Sequence, residues 1–245
     1  MSDWRYQPAK DHGLPPLQRA KSLKRESGLV GSIGHAAWWS SVRTVMRIYH
    51  RLEVHNPERL PKEPPFIIVA NHSSHLDVLA LAAPLSTRMR DRIFPIAAAD
   101  VFFETPVVTM FASLMLNALP MYRANRGRHA LVELRERLVG EPCGFVLFPE
   151  GARSRDGEML PVKSGIGMIA GGTDVPIVPC WLEGCFRAMP PKALVPRPRK
   201  ISVHVGEPVR FPQAGNNREG WDLIARELES RIRGLRPEKN RPIAP

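Results

Sequence analysis

The chain predicts an α/β fold: a layered single domain with a largely parallel or mixed sheet flanked by helices, plus an N-terminal amphipathic helix. Three observations lead there. From Pro64 onward, short apolar runs rich in β-branched residues alternate with helical patterns, which is how strands of a layered sheet are joined by packed helices. At 245 residues, with 43% hydrophobic and 24% charged, the chain can close one sizeable core with appendages. No repeat is visible, and no run reaches the roughly 18 apolar residues that cross a bilayer. The longest candidate, Val107 to Met121, is interrupted by Thr109, Ser113 and Asn117.

Residues 1–28 are polar, with dispersed Pro, Lys and Arg and no periodicity, and read as a mobile basic tail. Between Ser32 and Arg51 the pattern becomes helical. Trp38, Val42, Val45, Met46 and Tyr49 fall within an arc of about 100°, with Arg43, Arg47 and Arg51 opposite. Such a helix either lies in a headgroup layer with the Trp38–Trp39 pair at the interface or packs its apolar face on the sheet. Residues 29–60 are therefore an amphipathic, membrane-associating helix and linker. The α/β domain proper spans 61–215. Its expected strands are 66–70, 93–97, 118–122, 144–148, 175–180 and 201–205, and its helices 74–83, 105–116, 128–139 and 163–171. The Pro-rich basic stretch 190–200 reads as a surface loop. A helix at 218–234 lies within a C-terminal segment, 216–245, that ends in a basic tail.

The net charge of +11 divides unevenly. Residues 61–190 hold 13 basic and 13 acidic residues, whereas 1–60 hold 10 against 5 and 191–245 hold 12 against 6. Basic flanks around a neutral centre suit an anionic membrane surface, where each nearby cation contributes about 1 kcal/mol. They also suit a simple solvated surface. No nucleic-acid-binding motif accompanies them, so nucleic acid is not an expected partner. Cys143, Cys180 and Cys185 form no C-x-x-C pair and are odd in number, which points to a reduced, cytoplasmic setting. Arg5, Lys10 and Pro15-Pro16 precede any apolar run, unlike a signal peptide.

The chemistry concentrates in two segments. Asn71-His72-Ser73-Ser74-His75-Leu76-Asp77 follows the strand Phe66–Ala70 and opens a helix. Five helical positions correspond to roughly 140° of rotation, so His72 meets Asp77 only if His72 lies in the turn and Asp77 in the first helical turn. Ser74 as N-cap with Asp77 three residues on approximates a capping box, so Asp77 serves either the helix end or His72. Some eighty residues downstream, Phe148-Pro149-Glu150-Gly151-Ala152-Arg153-Ser154 follows the strand Gly144–Leu147 and puts a carboxylate and a guanidinium at the same kind of strand end, where ligands of open α/β sheets bind.

Together these segments resemble the glycerolipid acyltransferases, the family that includes 1-acylglycerol-3-phosphate acyltransferases. Asn71, His72, Ser74 and Asp77 match the family's first motif. Phe148–Ser154 meets six of seven positions of its third, with Ala152 replacing Thr. Arg123, closing Ala118–Tyr122, and Val175-Pro176-Ile177-Val178-Pro179 match two weaker blocks in order. The resemblance covers roughly residues 60–190. It departs at Asn117 and Tyr122, where the family often has Gly and Asp, and this leaves the acceptor open.

The resemblance implies an acyltransferase domain over 61–215. It further implies transfer of a fatty acyl group from acyl-CoA or acyl-carrier protein to the free hydroxyl of lysophosphatidic acid, with no cofactor beyond the donor. A histidine removes the hydroxyl proton during attack on a thioester, while a carboxylate fixes its tautomer. These roles fall to His72 and Asp77. No Gly-x-Ser-x-Gly elbow supports an acyl-enzyme, and His72-x-x-His75 lacks a zinc framework, so no metal is expected. Arg123, Arg153 and Lys163 are the cations for a phosphate-bearing acceptor. Glu150 binds an acceptor hydroxyl or holds Arg153, and Gly151 permits close backbone approach. The expected setting is peripheral, on the cytoplasmic face of a membrane. Two alternatives remain: another lysophospholipid or hydroxylated lipid as acceptor, or a non-enzymatic basic membrane-binding protein.

Overall fold

The computed structural model describes residues 13–23, 25, 29–121 and 127–238. Seven strands form one sheet: β1 (Glu53–His55), β2 (Phe66–Ala70), β3 (Ile93–Ala98), β4 (Leu119–Met121), β5 (Gly144–Leu147), β6 (Ile177–Glu183) and β7 (Ser202–Val205). Their order is β1-β7-β6-β2-β5-β3-β4. Every neighbouring pair is parallel except β6 with β7. The sheet is thus mixed and mostly parallel, flanked by helices, as the alternating pattern predicts.

All five residues of the central β2 are buried, because helices cover both faces. Side-chain alternation sends Phe66, Ile68 and Ala70 into one core and Ile67 and Val69 into the other. Helices α2 (Leu29–Ile48), α3 (Leu76–Ala82), α4 (Thr87–Arg90) and α9 (Cys185–Ala188) contribute to the first, and α5 (Ala99–Phe102) joins a small third cluster. Helices α7 (Gly127–Gly140), α8 (Gly165–Ala170) and α10 (Arg218–Gly234) contribute to the second. Asn217 caps α10 by accepting from the Gly220 amide at 2.9 Å, and Ile224, Leu228 and Ile232 recur every fourth residue on its buried side.

Three features depart from the sequence expectation. Residues read as tail include a short helix, α1 (Pro16–Ala20), with Ala20 buried. Arg25 is buried as well, donating to Ala20 O, Asn117 Oδ1 and Ala118 O. Residues 1–12, 24 and 26–28 of that segment lie outside the described residues. Strand β1 falls in the stretch read as linker; its three residues are too few to show alternation, and only pairing with β7 makes them a strand.

The third departure is the rotation of α2. Its inward stripe is His35, Trp39, Val42 and Met46, with Trp39 2% exposed, whereas Val45 and Tyr49 are exposed. Trp38 instead meets Phe111 of α6 (Pro106–Met115) edge-on, at 5.3 Å between centroids. Trp39 donates from its indole to His35 Nε2 at 2.7 Å, and the Arg90 guanidinium lies 5.3 Å from its ring centroid. The expected face 38/42/45/46/49 and the observed stripe 35/39/42/46 share Val42 and Met46 and differ by a small rotation of the helix. The tertiary partners choose between them. No helix among the described residues is long and apolar enough to cross a membrane.

Candidate active site

Parallel register builds the site. Phe66 pairs with Gly144 and Val69 with Leu147, an offset of 78 residues along β2 and β5. The same offset continues beyond the strand ends, where His72 N donates to Glu150 Oε1 at 2.6 Å. On the other side of β2, Asn71 continues the pairing with β6 through its side chain, donating to Leu182 O at 3.0 Å and accepting from Leu182 N at 2.7 Å. The chain leaving β2 is therefore gripped on both sides before it turns.

In that turn, His72 Nδ1 is 2.9 Å from Asp77 Oδ2. The same oxygen accepts from the amides of Ser73 and Ser74 at 2.6 and 2.8 Å. Ser74 Oγ accepts from Leu76 N at 3.2 Å and donates to Met189 O at 2.7 Å. The two roles left open for Asp77 are thus filled by one oxygen. Asp77 is fully buried, and its Oδ1 has no hydrogen-bond partner. Cys185 lies beside it; burial, then the Asp77 charge, holds this thiol well above its ordinary pKa, so it remains neutral. The carboxylate accepts a hydrogen bond from the Nδ1–H of His72, which leaves Nε2 as the nitrogen with a free lone pair. The His72 ring stacks on Phe148, 4.0 Å between centroids and 15° from parallel.

Glu150 is buried, and its second oxygen accepts from Leu160 N at 2.7 Å. Both oxygens therefore hold backbone, one at the His72 turn and one at the 160 loop, rather than Arg153. Burial pushes its carboxyl up to about 7, against the two amides that favour its charged form. Two backbone bonds complete the clasp: Ser154 N to His72 O at 2.8 Å and Lys163 N to Pro149 O at 2.9 Å.

Gly151 has φ +73°, and a Cβ there would fall 2.6 Å from Lys163 Nζ. Glycine is what lets the ammonium lie across the loop. Arg153 Nη1 is buried without a partner among the described residues. It lies near His75, whose pKa is lowered by burial first and by the Arg153 charge second. Arg123 lies outside the described residues. Asn117, the departure in the second motif, has φ +55°. That left-handed backbone favours glycine and, after it, asparagine, so this difference follows from the turn.

The structure brings together His72, Asp77, Glu150, Gly151, Arg153 and Lys163. Sequence reasoning passed over the supports. Phe148 and Asn71 stand within the quoted motifs, and aligning the two strands at a 78-residue offset would have placed Phe148 and Glu150 beside His72. Nothing in the sequence points to Cys185 or Met189, which follow the carboxyl end of β6 beside the site.

A histidine–aspartate pair at the carboxyl ends of a mostly parallel sheet, with Arg153 and Lys163 nearby, makes this an α/β protein whose site lies where ligands of open α/β sheets bind. A family model described as Acyltransferase matches residues 51–183, more than half of the chain. The chain belongs to that family. It is 33% identical over 129 residues to human 1-acyl-sn-glycerol-3-phosphate acyltransferase beta, covering 53% of this chain and 45% of that protein. It is 27% identical over 200 residues to the chloroplastic enzyme LPAT1 of Arabidopsis thaliana, covering 80% and 52%. The crystal structure of the 1-acyl-sn-glycerophosphate acyltransferase PlsC from Thermotoga maritima superposes with a TM-score of 0.64 at 26% identity, covering 88% of each chain. The chain spans about half the length of the curated relatives it matches.

Proposed function

We propose that this protein transfers a fatty acyl group from an acyl-CoA or acyl-carrier-protein thioester to the free hydroxyl of lysophosphatidic acid. The observation that carries this reading is the buried Asp77 carboxylate on His72 Nδ1, which leaves Nε2 as a base at the strand ends. As the acceptor oxygen attacks the thioester carbonyl, its proton passes to Nε2, and the imidazolium is stabilised by Asp77. Collapse of the tetrahedral intermediate expels the thiolate, which takes that proton from Nε2. Arg153, with a buried unpaired nitrogen, and Lys163, lying over Gly151, supply positive charge for the acceptor phosphate. Glu150 holds the loop that presents His72, and on this reading it does not touch the acceptor.

Acceptor and product are lipids, so the enzyme works peripherally at a membrane surface. Exposed Ile33, Val45 and Ile48 on α2 and Val107 and Phe111 on α6 suit that location. The test is a labelled acyl-transfer assay with both donors against lysophosphatidic acid, other lysophospholipids and neutral hydroxylated lipids. Transfer to lysophosphatidic acid that vanishes in His72→Ala and shows a raised acceptor KM in Arg153→Ala supports the reading. Turnover near normal without His72, or preference for a neutral acceptor, overturns it.

A further inference from the structure

The loop from Met189 to Lys200 is unlike an ordinary connection. Its tip presents Leu194, 94% exposed, beside Val195, 72% exposed, and neither enters a core cluster. Such display costs solvation and has no return within the fold. The loop is also tightly held: Arg197 N donates to Ala188 O at 2.8 Å, Ala193 N to Pro190 O at 2.9 Å, and the Tyr49 hydroxyl to Pro196 O at 2.9 Å. Four prolines, at 190, 191, 196 and 198, stiffen it further. The apolar tip is thus a fixed projection.

Its charge is all of one sign. Lys192, Arg197, Arg199 and Lys200 are exposed and the segment contains no acidic residue. Lys200 pairs with Glu53 at 2.6 Å, which leaves Lys192, Arg197 and Arg199 without an acidic partner among the described residues. The Tyr49 bond places this loop against the end of α2, where Ile48 is 72% exposed. At about 100° per residue, Ile33, Ala37, Val45 and Ile48 fall on the outward face opposite the buried Trp39 and Met46, interspersed with exposed Ser41 and Thr44 and flanked by Arg47. At its other end the loop begins at Met189, whose carbonyl accepts from Ser74 Oγ in the catalytic turn.

We propose that the 189–200 loop is a lipid-docking finger: Leu194 and Val195 insert into an anionic membrane surface, Lys192, Arg197 and Arg199 engage its phosphates, and the loop fixes the catalytic turn at the interface. This rests on the reading of the protein as a lipid acyltransferase. It adds a docking point, outside the helices, that touches the site. A two-residue apolar tip ringed by cations is shaped for a fluid surface that closes around it. Continuity with the outward face of α2 extends the same surface.

The test uses the full chain with vesicles of phosphatidylcholine alone or mixed with phosphatidylglycerol, scored by flotation. The Leu194→Ser/Val195→Ser variant should bind the anionic vesicles on the order of ten- to a hundredfold more weakly, including at high salt, where apolar insertion is unscreened. The Lys192→Gln/Arg197→Gln/Arg199→Gln variant should lose binding at low salt and match the parent at high salt. Transfer to a short-chain lysophosphatidic acid in free solution should be unchanged in both, which separates docking from catalysis. Absent transfer in the parent would sink the functional reading while leaving the vesicle result interpretable. A Val195→Cys protein labelled with a polarity-sensitive dye, its three native cysteines being buried, should shift to the blue on anionic vesicles. Parent-like flotation of the serine variant overturns the proposal. So does loop-dependent binding to acyl-carrier protein or to a second copy of the chain without vesicle binding.

Discussion

Asp77 Oδ2 accepts from Ser73 N, Ser74 N and His72 Nδ1, while Oδ1 accepts nothing. An asparagine whose amide oxygen occupies the Oδ2 position would keep all three bonds, lose the charge and put its NH2 beside Cys185 in place of Oδ1. Asp77→Asn should therefore fold, with a melting temperature within a few degrees of the parent, while turnover falls by about two orders of magnitude or more because the imidazolium loses its counter-charge. Asp77→Ala should lose both folding and activity. Stopped-assay rates beside thermal melts separate the two; if the Asn variant turns over normally, charge on Asp77 is not part of the chemistry. Glu150 shows the same economy with a structural outcome. An amide at Glu150 satisfies only one of the His72 and Leu160 amides, so Glu150→Gln should destabilise by about 1–3 kcal/mol and lower kcat more than acceptor KM. A rise confined to acceptor KM would return Glu150 to acceptor binding.

At the scale of elements, strand ends and helix faces are where packing decides. Asn71→Ala would strip the partners from Leu182 N and O at the β2–β6 edge. A loss of about 2–4 kcal/mol is expected for two orphaned buried groups, measurable by denaturant titration. Along α2, Trp39→Ala should cost about 3–5 kcal/mol as a core cavity, whereas Trp38→Ala, removing a half-buried ring against Phe111, should cost clearly less. A larger cost at Trp38 than at Trp39 would mean that the helix sits in the rotation the 38/42/45/46/49 face suggests.

For the whole molecule, acid and base pull stability in opposite directions. Glu150 is raised to about 7 in the fold against an ordinary 4.5, so the fold binds its proton more tightly than the unfolded chain does. Its contribution is fully present below about pH 4.5 and is lost as the pH rises to about 7; its span is on the order of 3 kcal/mol. His35, His50 and His75 are lowered by burial, so their contributions are present above 6.5 and lost as the pH falls. The difference in melting temperature between the parent and Glu150→Gln should therefore widen as the pH falls from 8 to 5. A difference that stays flat would mean that Glu150 is ionised across that range in the fold.

The sequence by itself determined the alternation of strands and helices, the residues that make up the two motifs, and the concentration of excess positive charge outside the 61–190 centre. These are properties of periodicity, spacing and composition, which a chain carries locally. The sequence stopped wherever two local patterns were equally regular. On α2, the expected and observed stripes share Val42 and Met46, and only the Asp91–His35–Trp39 network and Arg90 choose the inner rotation. Before the structure, Glu150 had two candidate partners; parallel pairing at a 78-residue offset assigned it a third, the backbone of His72. Residues such as Cys185, Met189 and Leu194 acquire meaning only through neighbours distant in sequence. Local chemistry settles which residues can form a strand or an ion pair, but the register of non-local pairing settles which of them meet.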